Sequence, residues 1–232
     1  VYSFLMFILV RNAVQYALLA LLYQLAQSGA SGGLVDLLIL RDETGAYNGY
    51  SGDVSSIIAA LGFIGGALAV WSTAKLLITK NKEDMHLSHL KKEGKAKYAL
   101  LVAVTIGAVI GFNLLFELLG VTNKSEAYTE VASQQYSAHF MVGILVFGFI
   151  SPIAEELLFR GVIYGYLRRF MDIKLAIALS ALIFGVYHMN YVQGVYGFLI
   201  GCLMAYAYEY FGEFKMAVFV HVASNVLALS LI

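Results

Sequence analysis

The sequence is poor in charged residues, which make up 13% of its 232 residues, about half the fraction that is usual in soluble domains. Hydrophobic residues account for 60%, and the mean hydropathy is +0.78. Long apolar runs recur along the whole chain, which excludes a soluble enzyme with a single anchor. The runs are continuous rather than alternating, which excludes a transmembrane barrel. The composition therefore predicts an all-α, polytopic bundle of transmembrane helices.

Cysteine and proline each occur once. Cys202 has no second cysteine to pair with, which excludes an internal disulfide and a cysteine-based metal cage. Pro152 lies within an apolar run, where it removes one backbone hydrogen bond and predicts a kink. We expect the carbonyl freed near Gly148 to line a polar cavity, because irregular backbone in a membrane is tolerated where it faces a cavity.

Seven apolar runs are long enough to be helices. We place them at about residues 3–27, 54–79, 97–121, 138–168, 174–190, 192–211 and 215–232, since roughly 20 residues at 1.5 Å each cross the hydrocarbon. The prediction is therefore about seven spans. Residues 1–137 form an N-terminal part in which we identify no chemistry. Residues 138–232 form a catalytic core, whose four helices are expected to contain a catalytic cavity.

Basic residues are concentrated in every second loop between these runs. The Lys-rich and Arg-rich loops follow the second, fourth and sixth helices, and they contain Lys80, Lys82, Lys91, Lys92, Lys95, Arg168, Arg169, Lys174 and Lys215. The positive-inside rule places these loops and the N-terminus in the cytoplasm. We therefore predict a multi-pass protein of a bacterial plasma membrane. Because topology explains the basic loops, we predict no nucleic-acid partner.

Three polar clusters interrupt the apolar C-terminal half. They are Glu155, Glu156 and Arg160 in the fourth helix, Phe184 and His188 in the fifth, and His221 and Asn225 in the seventh. An ionisable group at membrane depth costs at least a few kcal/mol, so such groups mark a functional site by default. Carboxylates, imidazoles, a carboxamide and a guanidinium are also the parts of a hydrolase that activates water.

The two adjacent glutamates are predicted to have different roles. Glu156 and Arg160 are four residues apart and can pair on one helix face. Glu155 points about 100° away from that face and lacks this partner. An uncompensated carboxylate in a cavity suits a general base, whereas the paired Glu156 suits a structural or orienting role.

Other intramembrane protease chemistries fit the sequence less well. The zincin motif HExxH is absent. An aspartyl site needs a second aspartate in an apolar run, and Asp53 has none. The Gly-Ala-Ser-Gly stretch at residues 29–32 superficially matches a rhomboid motif, but we interpret it as a flexible loop. His86 and His89 have metal-ligand spacing, yet without a third ligand nearby we interpret them as loop histidines.

The order and spacing of the three clusters resemble the CPBP family, which is also called Abi or CAAX protease and bacteriocin-processing. The motifs that carry the resemblance are Glu155-Glu156-x-x-x-Arg160, Phe184-x-x-x-His188 and His221-x-x-x-Asn225. This family groups intramembrane endopeptidases, and its eukaryotic relatives are the type II CaaX prenyl endopeptidases. The resemblance covers about residues 138–232, whereas the N-terminal helices match nothing beyond general hydrophobicity.

The resemblance implies that a peptide bond is hydrolysed inside a membrane cavity. It implies that Glu155 and His188 bind a water molecule, with Glu155 as general base. It also implies that His221 and Asn225 stabilise the oxyanion. The implied supporting residues, which hold the motif helix or contact the substrate, are Glu156, Arg160 and Phe184. For Arg160 this includes contact with a substrate carboxylate.

Several alternatives stay open at this point. A zinc ion held by Glu155, His188 and His221 competes with a glutamate-activated water, which we favour because a cation would compete with Arg160. The substrate is either a prenylated CaaX-type tail or a bacteriocin or leader-type peptide. A peptide-binding or bacteriocin self-immunity protein without hydrolysis is the main alternative function. A transporter is disfavoured, because inverted repeats are lacking.

Overall fold

The computed structural model describes residues 1–29, 32–84, 95–121 and 125–231. Within these ranges the chain forms nine helices and one two-stranded hairpin. The helices are α1 Tyr2–Gln27, α2 Leu34–Leu38, α3 Gly52–Asp84, α4 Ala96–Leu118, α5 Glu126–Tyr136, α6 Phe140–Leu167, α7 Ile173–Tyr187, α8 Tyr191–Phe211 and α9 Phe214–Ser230. Strands β1 Leu40–Arg41 and β2 Tyr47–Gly49 pair antiparallel. The all-α prediction is confirmed.

Some of the residues discussed from the sequence lie outside the described ranges. They are Ala30 and Ser31 of the Gly-Ala-Ser-Gly stretch, the loop residues His86, His89, Lys91 and Lys92, and the last residue, Ile232.

Four described helices are long and apolar enough to cross a membrane. They are α1, the Gly52–Lys82 part of α3, α4 and α6. The apolar helices α7 and α9 are shorter. The 15 residues of α7 give a helix about 22 Å long, which is shorter than the ~30 Å thickness of the hydrocarbon core of a bilayer. The protein is an integral membrane protein, and the prediction of seven spans stays a prediction.

Helix α6 enters a π-helical hydrogen-bond register twice. Two π-helical stretches, Ile144–Ile150 and Leu157–Tyr164, flank an α-helical stretch, Ser151–Glu156. The amide of Ser151 donates to the carbonyl of Val146. This bond spans five residues, so the corresponding donor for the carbonyl of Phe147 would be the N–H of residue 152. Residue 152 is proline, which has no N–H to donate. The freed carbonyl therefore belongs to Phe147, one residue from the predicted position.

Helices α1 and α3 pack closely in opposite directions. Gly62 of α3 lies so near α1 that a Cβ atom there would be 2.6 Å from Cγ of Gln15. Further along α3, a Cβ atom on Gly66 would be 3.0 Å from the ring of Phe7. Residue numbers fall along α1 as they rise along α3, so the helices are antiparallel. Small residues at such contacts allow the backbones to approach.

Helices α3 and α6 run in the same direction. Gly161 of α6 faces Ala74 of α3, with 3.0 Å between a Cβ atom at Gly161 and that of Ala74. The side-chain amide of Asn81 donates a hydrogen bond of 2.9 Å to the carbonyl of Gly165. Residue numbers rise together along both helices, which makes them parallel.

The three C-terminal helices alternate in direction. Met189 adopts a φ of 58° in the turn between α7 and α8, a left-handed conformation that is uncommon for a residue other than glycine. A Cβ atom on Gly185 of α7 would collide with the carbonyl of Gly194 of α8. Gly212, with a φ of 63°, ends α8 and starts the turn to α9. These two turns bring α7 and α9 against α6, which carries the glutamate pair.

Candidate active site

The carboxylate of Glu156 joins two of the three polar clusters. Its Oε1 atom accepts hydrogen bonds from Nη1 of Arg160 at 2.7 Å and from Nδ1 of His221 at 2.9 Å. Glu156 and Arg160 are both 0% exposed. Nη2 of Arg160 also donates to the carbonyl of Gly201 at 2.9 Å. The predicted Glu156–Arg160 pair is therefore present, and it connects α6 with α8 and α9.

Glu155 faces the other nitrogen of the same imidazole. Its Oε2 atom lies 3.7 Å from Nε2 of His221, which is longer than a hydrogen bond. Glu155 is buried, and it lines the cavity described below. The ring of His221 thus lies between two carboxylates, and only that of Glu156 is hydrogen-bonded to it.

His188 directly follows α7 and has a defined tautomer. Its Nδ1 atom lies 2.9 Å from the carbonyl of Phe184. Since a carbonyl only accepts hydrogen bonds, Nδ1 carries the proton, and in the neutral ring Nε2 is an acceptor. Nδ2 of Asn190 also donates a hydrogen bond of 3.1 Å to the His188 carbonyl. The imidazole is therefore held at the end of the helix with an acceptor nitrogen available.

Phe184 contacts side chains from all three clusters. Its ring centroid lies 4.8 Å from that of His188 and 5.3 Å from that of His221, and both contacts are edge-to-face. Cζ of Arg160 lies 4.7 Å from the same centroid. Edge-to-face contacts favour one ring orientation over others. Phe184 therefore acts as an apolar spacer that orients both imidazoles.

Asn225 has a structural contact in addition to its place in the cavity. Its Nδ2 atom donates a hydrogen bond of 2.9 Å to the carbonyl of Phe147, the group that Pro152 leaves without a backbone donor. A carboxamide carries two N–H bonds, so the second remains for another acceptor.

Glu155, His188, His221 and Asn225 all line one cavity of about 780 Å³, a size that is typical of small-molecule sites. Residues of α1, α3, α4 and α5 contribute to the same wall, including Gln15, Ser56, Asn113, Phe116, Tyr128 and Gln135. The cavity therefore extends beyond the four C-terminal helices. Glu156 and Arg160 are absent from the described residues that line it.

Arg11 is a cavity residue that the sequence analysis missed. Nη1 of Arg11 donates to the hydroxyl of Tyr187, and Cζ lies 4.2 Å from the ring centroid of Phe63. Both Arg11 and Tyr187 line the cavity. The available signal was a lone arginine in the middle of an apolar run, which is itself an indication of function in a membrane helix.

The amphipathic helix α5 was also missed, because its residues are too polar to form an apolar run. The hydroxyl of Ser125 caps its first turn by accepting a hydrogen bond of 3.2 Å from the amide of Tyr128. Tyr136 at its other end lines the cavity.

In the part of the chain that the structure describes, no three His, Cys, Asp or Glu side chains group closely enough to hold a metal ion. The candidate ligands Glu155, His188 and His221 line the same cavity without forming such a group.

The segment with α6, α7, α8 and most of α9 matches a known family. Residues 137–227 are similar to the model of this family. The family is described as type II CAAX prenyl endopeptidase Rce1-like. This match confirms the resemblance to CAAX proteases that the three clusters indicated, and it supports protease activity. No curated protein and no solved structure is similar enough to the chain to match it.

Proposed function

We propose that this protein is an intramembrane endopeptidase that hydrolyses a peptide bond in a membrane-associated substrate. The substrate is a CaaX-type prenylated tail or a bacteriocin or leader-type peptide. The observation that carries the proposal is that Glu155, His188, His221 and Asn225, from three helices, line one cavity. The match of residues 137–227 to an endopeptidase family supports the same reaction class.

In the proposed first step, Glu155 and His188 activate a water molecule. Nε2 of His188 accepts one hydrogen bond from the water, because Nδ1 is already directed at the Phe184 carbonyl. The carboxylate of Glu155 removes the other proton as the water oxygen attacks the scissile carbonyl carbon. General bases of this kind contribute about 10²–10⁴-fold to the rate.

The second step collapses the tetrahedral intermediate. Its oxyanion accepts a hydrogen bond from the free N–H of Asn225 and one from Nε2 of His221. Because Nδ1 of His221 is hydrogen-bonded to Glu156, donation from Nε2 requires the imidazolium form. As the carbon–nitrogen bond breaks, the protonated Glu155 returns its proton to the leaving amine. The products are a carboxylic acid and an amine.

Glu156, Arg160 and Phe184 have positioning roles in this mechanism. The buried Glu156–Arg160 pair fixes the ring of His221 through one carboxylate oxygen. Phe184 packs edge-to-face on both imidazoles. None of the three needs to touch the reacting atoms, since their contacts already set the orientation of the side chains that do.

Peptide cleavage by the purified protein in bicelles tests the proposal. Mass spectrometry would follow a pool of prenylated CaaX and leader-type peptides with wild type, Glu155→Gln and His188→Ala. We expect cleavage by wild type and a loss of about 10²-fold or more in both variants. Glu130→Gln is the matched control, because Glu130 is an exposed glutamate of α5 that does not line the cavity.

Two outcomes would contradict the proposal. Equal cleavage by wild type and Glu155→Gln would show that another group activates the water or that a contaminant cleaves the peptides. Peptide binding by a folded wild type, without cleavage of any peptide in the pool, would favour the peptide-binding or self-immunity alternative.

A further inference from the structure

Helix directions define two ends of the bundle. At one end, which we call the cavity end, α3, α6 and α8 begin, while α1, α7 and α9 finish. The contacts Phe116–Tyr196 and Tyr98–Phe211, with ring centroids 6.4 and 5.0 Å apart, place α4 antiparallel to α8. Helix α4 therefore also finishes at the cavity end. We call the other end the basic end.

The cavity opens at the cavity end. Its exposed lining residues Ser55, Gln134 and Tyr136 lie at the start of α3 and on α5. Glu155 and His221, which are 6% and 3% exposed, lie at the bottom. The cavity thus extends from a polar mouth beside α5 to the proposed catalytic side chains halfway along α6 and α9.

Basic residues concentrate at the opposite end. The described ones there are Lys80, Lys82, Lys95, Lys97, Arg168, Arg169, Lys174 and Lys215. Of the described Lys and Arg residues, Arg41 lies at the cavity end. This end also carries the carboxylates of Asp36, Asp42, Glu43, Asp53, Glu117, Glu126 and Glu130. Lys and Arg near span ends face the cytoplasm, which assigns the basic end to that side.

We propose that the cavity admits peptide segments from the non-cytoplasmic side of the membrane. The inference rests on the proposed function and specifies its substrate class as an exported or extracytoplasmic polypeptide segment. A prenylated tail on a cytoplasmic protein would meet the basic end, whereas the mouth of the cavity lies at the other end of the bundle.

Cysteine labelling tests which side the mouth faces, whether or not the protein cleaves anything. In a Cys202→Ser background, Ser133→Cys places a thiol on exposed α5, and Arg169→Cys places the matched thiol at the exposed basic end. We expect a membrane-impermeant maleimide to label Ser133→Cys in intact cells and Arg169→Cys only after permeabilisation. The reverse pattern would overturn the proposal.

A second arm separates this inference from the proposed function. A peptide that the detergent-solubilised protein cleaves would be fused to a membrane anchor facing either side. We expect cleavage only of the non-cytoplasmic fusion. Cleavage only of the cytoplasmic one would overturn the sidedness and retain the protease. If no peptide is cleaved in detergent, the proposed function fails, and the labelling still decides the orientation.

An independent observation concerns the charge of Arg11. Among the described residues, no carboxylate forms an ion pair with its guanidinium. Its Nε atom is buried without a hydrogen-bond partner in the described structure. The packing on Phe63 and the bond to Tyr187 hold the group at the cavity wall. Arg160, by contrast, is fully buried and bonded to Glu156 and Gly201.

We infer that Arg11 binds a carboxylate of the bound peptide and thereby determines specificity. Arginine binds carboxylates through two parallel hydrogen bonds, and such charge-assisted bonds are stronger than neutral ones. A guanidinium in a sheltered cavity without a counter-ion in the protein is suited to a ligand that supplies one. The carboxylate comes either from the peptide C-terminus or from an Asp or Glu side chain.

Peptide binding to a Glu155→Gln background, measured by fluorescence anisotropy, tests this inference without hydrolysis. We expect Arg11→Gln to weaken binding about 10- to 100-fold, and Arg11→Lys to restore part of it. Arg169→Gln is the control for loss of a positive charge. If Arg11 binds the C-terminal carboxylate, amidation of the peptide C-terminus should abolish the difference in binding between Arg11→Gln and the background. If it binds a side chain, replacement of the peptide's Asp and Glu by Asn and Gln should abolish that difference instead.

If Arg11→Gln weakens acidic and fully neutral peptides equally, Arg11 has a structural role and the inference fails. If it weakens neither, the inference fails as well. In both cases cleavage by wild type would still stand, so the proposed function is judged separately.

Discussion

Adjacent glutamates have opposite surroundings at this site. Glu156 is fully buried and its carboxylate is bonded to Arg160 and His221. Glu155 faces the cavity, 3.7 Å from the nearest nitrogen of His221. The register of α6 turns the carboxylate of Glu156 into the protein and that of Glu155 toward the cavity. The stabilising role and the catalytic role that we propose therefore belong to neighbouring residues.

We predict that Glu156→Gln destabilises the protein while Glu155→Gln does not. The first variant leaves the buried guanidinium of Arg160 uncompensated, which costs about 3–5 kcal/mol. Glu155→Gln removes the charge of a carboxylate that has no hydrogen-bonded side-chain partner in the described structure. Thermal unfolding in detergent would measure both, with Glu155→Gln as the matched control. Equal melting temperatures for the two variants would contradict the assignment.

At the scale of the element, α6 combines one proline with two π-helical stretches. The π register directs the Phe147 carbonyl toward Pro152, which cannot donate, and Asn225 of α9 supplies the missing donor. A polar residue of the site is thereby used to join two helices. π-Helical turns inside α-helices often occur at functional sites.

The Phe147 carbonyl predicts an energetic coupling between Pro152 and Asn225. Asn225→Ala should cost about 0.6–2 kcal/mol, the range for side-chain hydrogen bonds between membrane helices. In a Pro152→Ala background the new backbone N–H satisfies the carbonyl, so the same change should cost less. Unfolding free energies of the four proteins in a double-mutant cycle measure this coupling. Additive costs would mean that the Asn225 bond does not depend on Pro152.

Close helix contacts make a second prediction at this scale. Gly185→Ala should destabilise the protein by more than 1 kcal/mol, because a Cβ atom there collides with the backbone carbonyl of Gly194. Gly111→Ala in α4 is the control, because a Cβ atom there meets nothing within 4 Å. Helix propensity alone favours alanine at both positions. Similar melting temperatures for both variants would therefore contradict the close contact of α7 with α8.

The whole molecule builds its cavity from both parts of the chain. The matched segment supplies Glu155, His188, His221 and Asn225, and the N-terminal helices supply Arg11 and much of the remaining wall. Similarity to a family over residues 137–227 therefore covers the proposed catalytic side chains but only part of the cavity wall.

For the whole protein we predict activity without a metal ion. Glu155, His188 and His221 form no metal-binding group in the described part of the chain, and the proposed chemistry uses a glutamate-activated water. Purified protein should contain substoichiometric zinc by plasma mass spectrometry, and chelation should leave peptide cleavage unchanged. Stoichiometric zinc, with activity lost on chelation and restored by zinc, would contradict this prediction.

The sequence by itself determined the helical class, the approximate helix positions and the three polar clusters. The length of a hydrophobic run and the spacing of Glu156 and Arg160 are local properties. Such properties can be derived from one continuous segment of the sequence. The Glu156–Arg160 pair was predictable for this reason. Helix α5 was not, because an amphipathic surface helix leaves no apolar run.

Only the tertiary structure decided which groups meet across helices. Three hydrogen bonds of the site join residues that are far apart in the chain. They are His221–Glu156, Asn225–Phe147 and Arg11–Tyr187. Such contacts depend on helix direction and rotation, which are set by the packing of many side chains at once. A periodic pattern in one helix does not contain that information.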